Sequence, residues 1–399
     1  MYVYVTMSGL GLLSMVSRGS ESAWNKETFN KYGTPVEDLG SFALDVLVSK
    51  TSFNLFDDKV GSHVFPVQRE GCLVRGTHLI IDLPCIPTEN DPDRELRWVS
   101  DIGHAVIESV TLEVDGRVVD VHLGDYMHVL ASLSGCEPIG STNAHRTQTV
   151  CVPLQFSYCK DIRNALPIHS MQVPKINIRV QTHALHDLLR YKTEIGLLPN
   201  TSPTFVNHVG GVKMCTEFIM LDSDIRKSLM TKRIHTHRIQ RVHTDTMEFM
   251  SNDSDICNVP LTSTLPCSSI MFICQRIEAA RFDYSSLCGN NPVISAALTV
   301  NGDDITGRHI LGQYYNEIVP RDIWKTKSAV AMGVNAYSFT LYPTTDTYAT
   351  NVWDFGELKN TSLQLRMTRG TWKISVYSNV FDCTTVSLNQ FSLHSKSDM

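Results

Sequence analysis

Charge of one sign, paired cysteines and long apolar runs are all scarce in these 399 residues, and each shortage excludes a class of function. The net charge is −6, with 35 Lys and Arg against 41 Asp and Glu, so the chain lacks a surface built to neutralise nucleic-acid phosphates. Eleven cysteines run from Cys72 to Cys383 without one C-x-x-C pair, which fits neither a disulfide framework nor a zinc ribbon; reduced thiols in a cytosolic setting are expected. No stretch approaches the roughly 20 apolar residues that a membrane-spanning helix needs. Met1 to Val16 is fairly apolar but has no basic n-region and is broken by Gly9 and Gly11, so it reads as an arm rather than a signal peptide.

Reactive constellations are missing too. There is no G-x-x-x-x-G-K-[ST], H-E-x-x-H, G-x-S-x-G or EF-hand loop. Val209-Gly210-Gly211-Val212-Lys213 lacks the spacing that wraps amides around a phosphate and reads as a turn before a strand. In Ile234-His235-Thr236-His237-Arg238, with His243 nearby, two imidazoles on one strand face could chelate zinc. Lys232, Arg233, Arg238 and Arg241 would repel a dication, which favours a solvated or subunit-facing strand.

From Arg226 to His243 there are six basic residues and no acid, suited to an acidic neighbouring subunit or, as the second reading, to nucleic acid or anionic lipid. Asp222, Asp224, Asp253 and Asp255 sit in turn contexts where carboxylates cap. Trp24, Trp98, Trp324, Trp353 and Trp372 are too dispersed to suggest a glycan platform, and the sequons at Asn200, Asn252 and Asn360 are expected to carry no conventional N-glycan. No catalytic, cofactor-binding or metal-ligating residue is therefore expected.

What fills the sequence is period-two alternation. In Lys175-Ile176-Asn177-Ile178-Arg179-Val180-Gln181 the apolar residues face one way and the polar ones the other, giving a strand with one buried face. Similar runs span Phe42 to Val48, Leu73 to Leu83, Val110 to Val114, Lys213 to Leu221, Ser269 to Cys274, Ala296 to Val300, Tyr337 to Leu341 and Thr361 to Met367. Turn residues between them signal antiparallel sandwiches. Helix is sparse: Tyr126, Val129, Leu130 and Leu133 lie on one helical face with Gly135 as the stop, and a second short helix is expected from Asp222 or Ser223 to about Met230.

The pattern also repeats. Leu112-Glu113-Val114-Asp115-Gly116 matches Leu298-Thr299-Val300-Asn301-Gly302 at an offset of 186, Leu154 matches Phe339 at 185, and Ile176 matches Leu363 at 187. Two copies of one fold are expected, joined by a connector over Leu185 to Pro203.

Several blocks carry a specific resemblance. They are Gly71-Cys72-Leu73-Val74-Arg75 leading to Leu83-Pro84, Ile102-Gly103-His104-Ala105-Val106-Ile107 as a glycine-histidine strand, Gly124-Asp125-Tyr126 as a helix start, and Val152-Pro153-Leu154-Gln155-Phe156-Ser157-Tyr158-Cys159 continuing through Ala165-Leu166-Pro167-Ile168. The second half adds Met220-Leu221-Asp222-Ser223-Asp224, Tyr337-Ser338-Phe339-Thr340-Leu341-Tyr342-Pro343 and Asn360-Thr361-Ser362-Leu363. The chain thereby resembles the double jelly-roll major capsid proteins of nucleocytoplasmic large DNA viruses, departing at Cys72, where an acid is usual, and at Tyr126, where a tryptophan is usual.

The resemblance implies a mainly β fold of two tandem eight-stranded antiparallel jelly-roll sandwiches with a few short helices. The expected division is an N-terminal arm over 1–30, a first jelly roll over 31–195 and a second over 196–399. It implies a non-enzymatic shell protein without cofactor or metal, forming homotrimeric pseudo-hexagonal capsomers that tile an icosahedral virion assembled in the host cytoplasm. The implied partners are neighbouring capsomers, minor capsid proteins and, on the interior side, an inner viral membrane, with no specific nucleic acid. A minor capsid or scaffold component of the same fold, a carbohydrate-binding jelly roll, and a cupin-like metalloenzyme using His235 and His237 are the alternatives.

Overall fold

The computed structural model describes residues 42–51, 62–68, 71–86, 96–160, 164–168, 175–191, 211–221, 234–252, 255–306, 309–341, 343, 352–358, 360–387 and 391–394. The expected helix after Asp222, the connector from residue 192 onward and the arm over 1–30 lie outside the described residues.

Alternating runs become strands as the pattern demands. In the first half these are β1 (Phe42–Thr51), β2 (Ser62–Pro66), β3 (Leu73–Leu83), β4 (Leu96–Trp98), β5 (Ile107–Val114), β6 (Arg117–Leu123), β7 (Gln148–Pro153), β8 (Ile176–Thr182), β9 (Leu189–Tyr191) and β10 (Val212–Leu221). Their pairing is nested and antiparallel: β1 lies beside β10, β2 beside β8, β3 beside β7, and β5 beside β6. Rolling up such a long folded ribbon gives two facing sheets, β1-β10-β3-β7 and β2-β8-β5-β6, which is the jelly-roll wrap; β4 and β9 form a separate ribbon.

The second half contains β11 (Ile234–Ser251), β12 (Ile256–Pro260), β13 (Pro266–Arg276), β14 (Val293–Val300), β15 (Asp303–Asp304), β16 (Ile310–Leu311), β17 (Val334–Ser338), β18 (Trp353–Asp354), β19 (Thr361–Met367), β20 (Gly370–Ser387) and β21 (Phe391–His394). The nesting recurs: β11 with β20, β12 with β19, β13 with β17, and β14 with β15. The sheets are β11-β20-β13-β17 and β12-β19-β14-β15, to which β16, β18 and β21 add short pieces. The wrap is thus the same in both halves, strand for strand.

Register makes the equivalence residue-specific. Leu112 pairs with Ile178 as Leu298 pairs with Leu363, so the strand match runs at 185 and Ile178, not Ile176, is the counterpart of Leu363. The backbone N–H of Leu154 donates to Thr77, and that of Phe339 donates to Ser268, in keeping with the offset of 185 there. Both hairpins turn through two positive-φ residues, Asp115 and Gly116 in one, Asn301 and Gly302 in the other.

Other expectations need correcting. β10 hydrogen-bonds between β1 and β3, so a strand expected to open the second module completes the first; alternation alone says that a strand exists, not which sheet it joins. Ile102–Ala105 is a short helix, α1, rather than the start of a strand, because Asp101 takes a left-handed conformation at φ 55° and turns the chain into β5. β17 begins at Val334 and ends at Ser338, before most of the run expected from Tyr337 to Leu341.

Two larger apolar cores result. The core of the second sandwich is built on Ile270, Phe272, Cys274, Leu298, Leu363, Leu365, Trp372 and Ile374. The first core does not stop at its own sandwich: Met271, Ile273, Val334, Ala336 and Tyr377 join it from the second half. Both faces of β13 are therefore buried, which explains its nearly unbroken apolar sequence Ile270-Met271-Phe272-Ile273-Cys274.

Candidate functional site

For two sandwiches of one chain, the surface that decides what the molecule can do is the seam that fixes one against the other. It is organised around α2 (Gly124–Leu133), the helix marked in the sequence by Tyr126, Val129, Leu130 and Leu133. Gly124 lets this helix start against β5: a Cβ there would stand 2.1 Å from the Ile107 carbonyl oxygen and 2.6 Å from that of His104. Gly312 makes the same close approach in the second half, 1.9 Å from the Val293 carbonyl oxygen, and opens the helical stretch 312–324.

So placed, α2 presents Tyr126 to β20. Its ring lies 5.6 Å from that of Tyr377, and its hydroxyl donates to Asn379 Oδ1 at 3.2 Å. Two residues on, His128 stacks flat on Phe282, with centroids 4.1 Å apart and planes 2° from parallel. Asp125 faces Arg281 at 3.6 Å. At the far end of the helix Thr326 donates to the Leu133 carbonyl, and Ser132 Oγ accepts the Ala331 N–H at 2.9 Å.

A second set of contacts comes from β6 and from α3 (Ser157–Lys160) onto β11. Asp120 Oδ1 accepts the Val242 N–H at 3.1 Å while its Oδ2 pairs with His122 at 2.9 Å. The Gln240 N–H donates to Ser157 at 3.2 Å, and Lys160 donates to the Gln240 side chain at 2.8 Å. Burial raises the Asp120 carboxyl, but the charge and hydrogen bond of His122 outweigh it and hold the group below the ordinary range.

Behind His128 sits a buried clamp. Asp101 Oδ2 accepts from Nδ1 of His104 at 2.7 Å and from Nδ1 of His128 at 2.6 Å, while Oδ1 accepts the Ile139 N–H at 2.8 Å. Burial pushes the Asp101 carboxyl up, yet the two imidazole hydrogen bonds override it and keep the group ionised far below its usual range. Asp101, His104 and His128 form the one metal-type donor set among the described residues. Both imidazoles aim at a single carboxylate oxygen at hydrogen-bond distances, so the geometry is that of a carboxylate orienting two rings, one of which carries the stack on Phe282.

The residues weighed from the sequence lie elsewhere. His235 and His237 fall on β11, paired with Val386 and Thr384, and His243 bonds Thr262 at 2.8 Å and pairs with Asp245 at 3.3 Å. Arg241 is bound to Asp382 at 2.6 Å, so part of the basic run is neutralised within the chain. Trp98 and Trp372 are core residues, and Trp353 stacks on Phe339 at 5.3 Å. Sequence reasoning missed Asp101, Asp120, His122 and Phe282; the only local signal was Asp101-Ile102-Gly103-His104, an acid and a histidine three apart beside a helix start.

Comparison with known proteins gives a consistent set of likenesses. Residues 40–222 match the family described as major capsid protein N-terminus, a span that closes one residue after β10. The chain is 24% identical over 260 residues to the major capsid protein of Phaeocystis pouchetii virus, covering 55% of this chain and 49% of that protein. It is 23% identical over 327 residues to capsid protein 1 of Acanthamoeba polyphaga mimivirus, covering 72% and 53% respectively. With the major capsid protein of Pyramimonas orientalis virus it shares 21% over 375 residues, covering 84% and 86%. The chain thus spans about half the length of the first two relatives.

Among solved structures, the PBCV-1 virus capsid superposes with a TM-score of 0.74 at 14% identity, covering 91% of this chain and 99% of that one. The Faustovirus major capsid protein gives 0.66 at 10% identity, with 96% and 99% covered.

Proposed function

We propose, from the premise that the chain is a double jelly-roll protein akin to the major capsid proteins of large DNA viruses, that it is a structural tile of a virus shell. The observation that carries this reading is the single nested wrap occurring twice, with the two copies fixed side by side through a buried seam.

A tile must be stiff, and two sandwiches sharing an apolar core across their junction cannot hinge without exposing Tyr126, Met271 and Tyr377. Three such chains around a threefold axis would set six like modules in a near-hexagonal ring that packs into a flat lattice. Contacts within the trimer would be of the obligate kind, above about 2,000 Å² in total, whereas weaker contacts between capsomers add over the lattice. The tile acts as shell component of the virion, without catalysis, with neighbouring capsomers and minor capsid proteins as partners and an inner membrane on the interior side. The two modules are taken as 42–221 and 234–394, which moves the division from residue 195 to beyond β10. A minor shell component of the same fold is the second reading.

Light scattering on the purified full chain tests the proposal: a species of three times the 44.7 kDa chain mass supports it, and a monomer across the micromolar range contradicts it.

A further inference from the structure

Buried polar atoms that find no hydrogen-bond partner within the protein gather at one edge of the seam. On the first-module side they are Asp125 Oδ1, in the first turn of α2, and His183 Nε2, just past β8; on the second-module side they are Arg281 Nε and the Tyr284 hydroxyl, in the turn after β13. Tyr284 as a whole is only 1% exposed, while the Asp125 and Arg281 side chains reach the rim of the seam. A buried polar atom without a hydrogen bond is costly, so four in one neighbourhood call for a common partner.

Their electrostatics show that they face one another. Arg281 stands 3.6 Å from Asp125 Oδ1, opposite in charge yet beyond direct hydrogen-bond reach, which is the spacing of a water-separated pair. Burial first, and the Asp125 charge next, push the Tyr284 phenol well above its ordinary value. Burial and the cations Arg281 and Lys373 pull the His183 imidazole down to about 3, so the ring is neutral at pH 7. The backbone is bent to bring Arg281 here: Phe282, the next residue, has φ 64°, a left-handed conformation that bulky side chains rarely adopt. That turn lays the Phe282 ring on His128 and leaves the Arg281 guanidinium towards Asp125.

We propose that ordered water is bound at this site and bridges the two modules, joining Asp125 of α2 to Arg281 and Tyr284 of the opposite turn. The water donates to Asp125 Oδ1 and accepts from Arg281 Nε and the Tyr284 hydroxyl, three bonds being the usual number for a buried water. His183 Nε2, in the tautomer that carries its proton on Nδ1, takes the remaining proton of this water or of one beside it. Two donors and two acceptors complement water, whereas an anion would need donors and a cation acceptors. Asp125 and Arg281 cancel in charge as well, which leaves no net field to hold an ion.

A structure of the full chain at a resolution that shows water tests this directly. The expected result is a density peak about 2.7–3.2 Å from Asp125 Oδ1, Arg281 Nε and the Tyr284 hydroxyl. A peak that exchanges for bromide on soaking, or a direct Arg281–Asp125 bond with no density between, overturns the proposal. Tyr284→Phe gives a second reading in solution. With water present the variant breaks a bond, and the urea midpoint should fall by about 0.3 M; a dry site would be relieved of an unpartnered hydroxyl, so an unchanged or higher midpoint overturns the assignment. Asp125→Asn combined with Tyr284→Phe should lower the midpoint by less than the two single variants together, because both act on one water, and strictly additive losses contradict it.

Discussion

Replacing Asp101 by alanine removes the one acceptor that serves two histidines and a backbone amide. His104 would be left as a buried donor without a partner, at about 1–3 kcal/mol, and the half-buried Ile139 N–H as a second, at about 1 kcal/mol. His128 is 13% exposed and can turn towards water at smaller cost, losing its stack on Phe282. The backbone adds a further penalty of about 1 kcal/mol, since φ 55° suits Asp and Asn but not Ala. The sum is about 4 kcal/mol, a large share of an ordinary domain's stability.

Asparagine at the same position tolerates the left-handed backbone, keeps an oxygen for Ile139 and can donate to both imidazoles if they shift tautomer, so its cost should stay near 1.5 kcal/mol. Urea titration at pH 7, followed by near-ultraviolet circular dichroism, reads both. Equal midpoints for the two variants, or a loss below about 1 kcal/mol for alanine, would refute the clamp.

Acid should act through the same group. Because the folded Asp101 carboxyl lies below its unfolded value, its contribution is complete above about pH 4 and is lost as pH falls through the folded value. Asp101→Asn should therefore flatten the acid limb of the stability curve relative to the wild type, and an unchanged limb would argue against it. Gly124→Ala drives a methyl into two carbonyl oxygens and should abolish soluble expression, whereas Gly116→Ala, with open space around it, should cost only about 1 kcal/mol through its φ of 77°. Phe272→Ala hollows the second core and is expected to cost about 3–5 kcal/mol by the same titration, with first-module tyrosine signals less affected. A thiol reagent should modify exposed Cys136 and Cys288 within minutes and leave buried Cys257, Cys267 and Cys274 untouched until urea is added; burial raises the Cys257 thiol to about 11.

The strands were legible because alternation is a local property, and the hairpins because Asp115-Gly116 and Asn301-Gly302 have few other uses. The duplication was legible as three offsets of 185 to 187, but only register showed that Ile178, two residues past the first guess, answers Leu363. Alternation cannot count ladder positions, since a shift of two residues leaves the faces unchanged. β10 was read as a strand and given to the wrong module for a related reason: its partners β1 and β3 lie more than a hundred residues upstream. The pairings across the seam were not legible. Asp101 meets His128 across 27 positions and Tyr126 meets Asn379 across 253, and no periodicity connects them. The double burial of β13 did leave a trace in its unbroken apolar run, read as one more strand rather than as a buried junction.

Electron microscopy of the purified protein, at a resolution that separates strands, tests the central claim most directly. Three chains in a closed ring of six sandwiches are expected, each sandwich with its first strand beside its last, and α2 of each chain lying over the β11-β20-β13-β17 sheet of its own second module. A single sandwich per chain, or two that sit apart with solvent between Tyr126 and Tyr377, would contradict it.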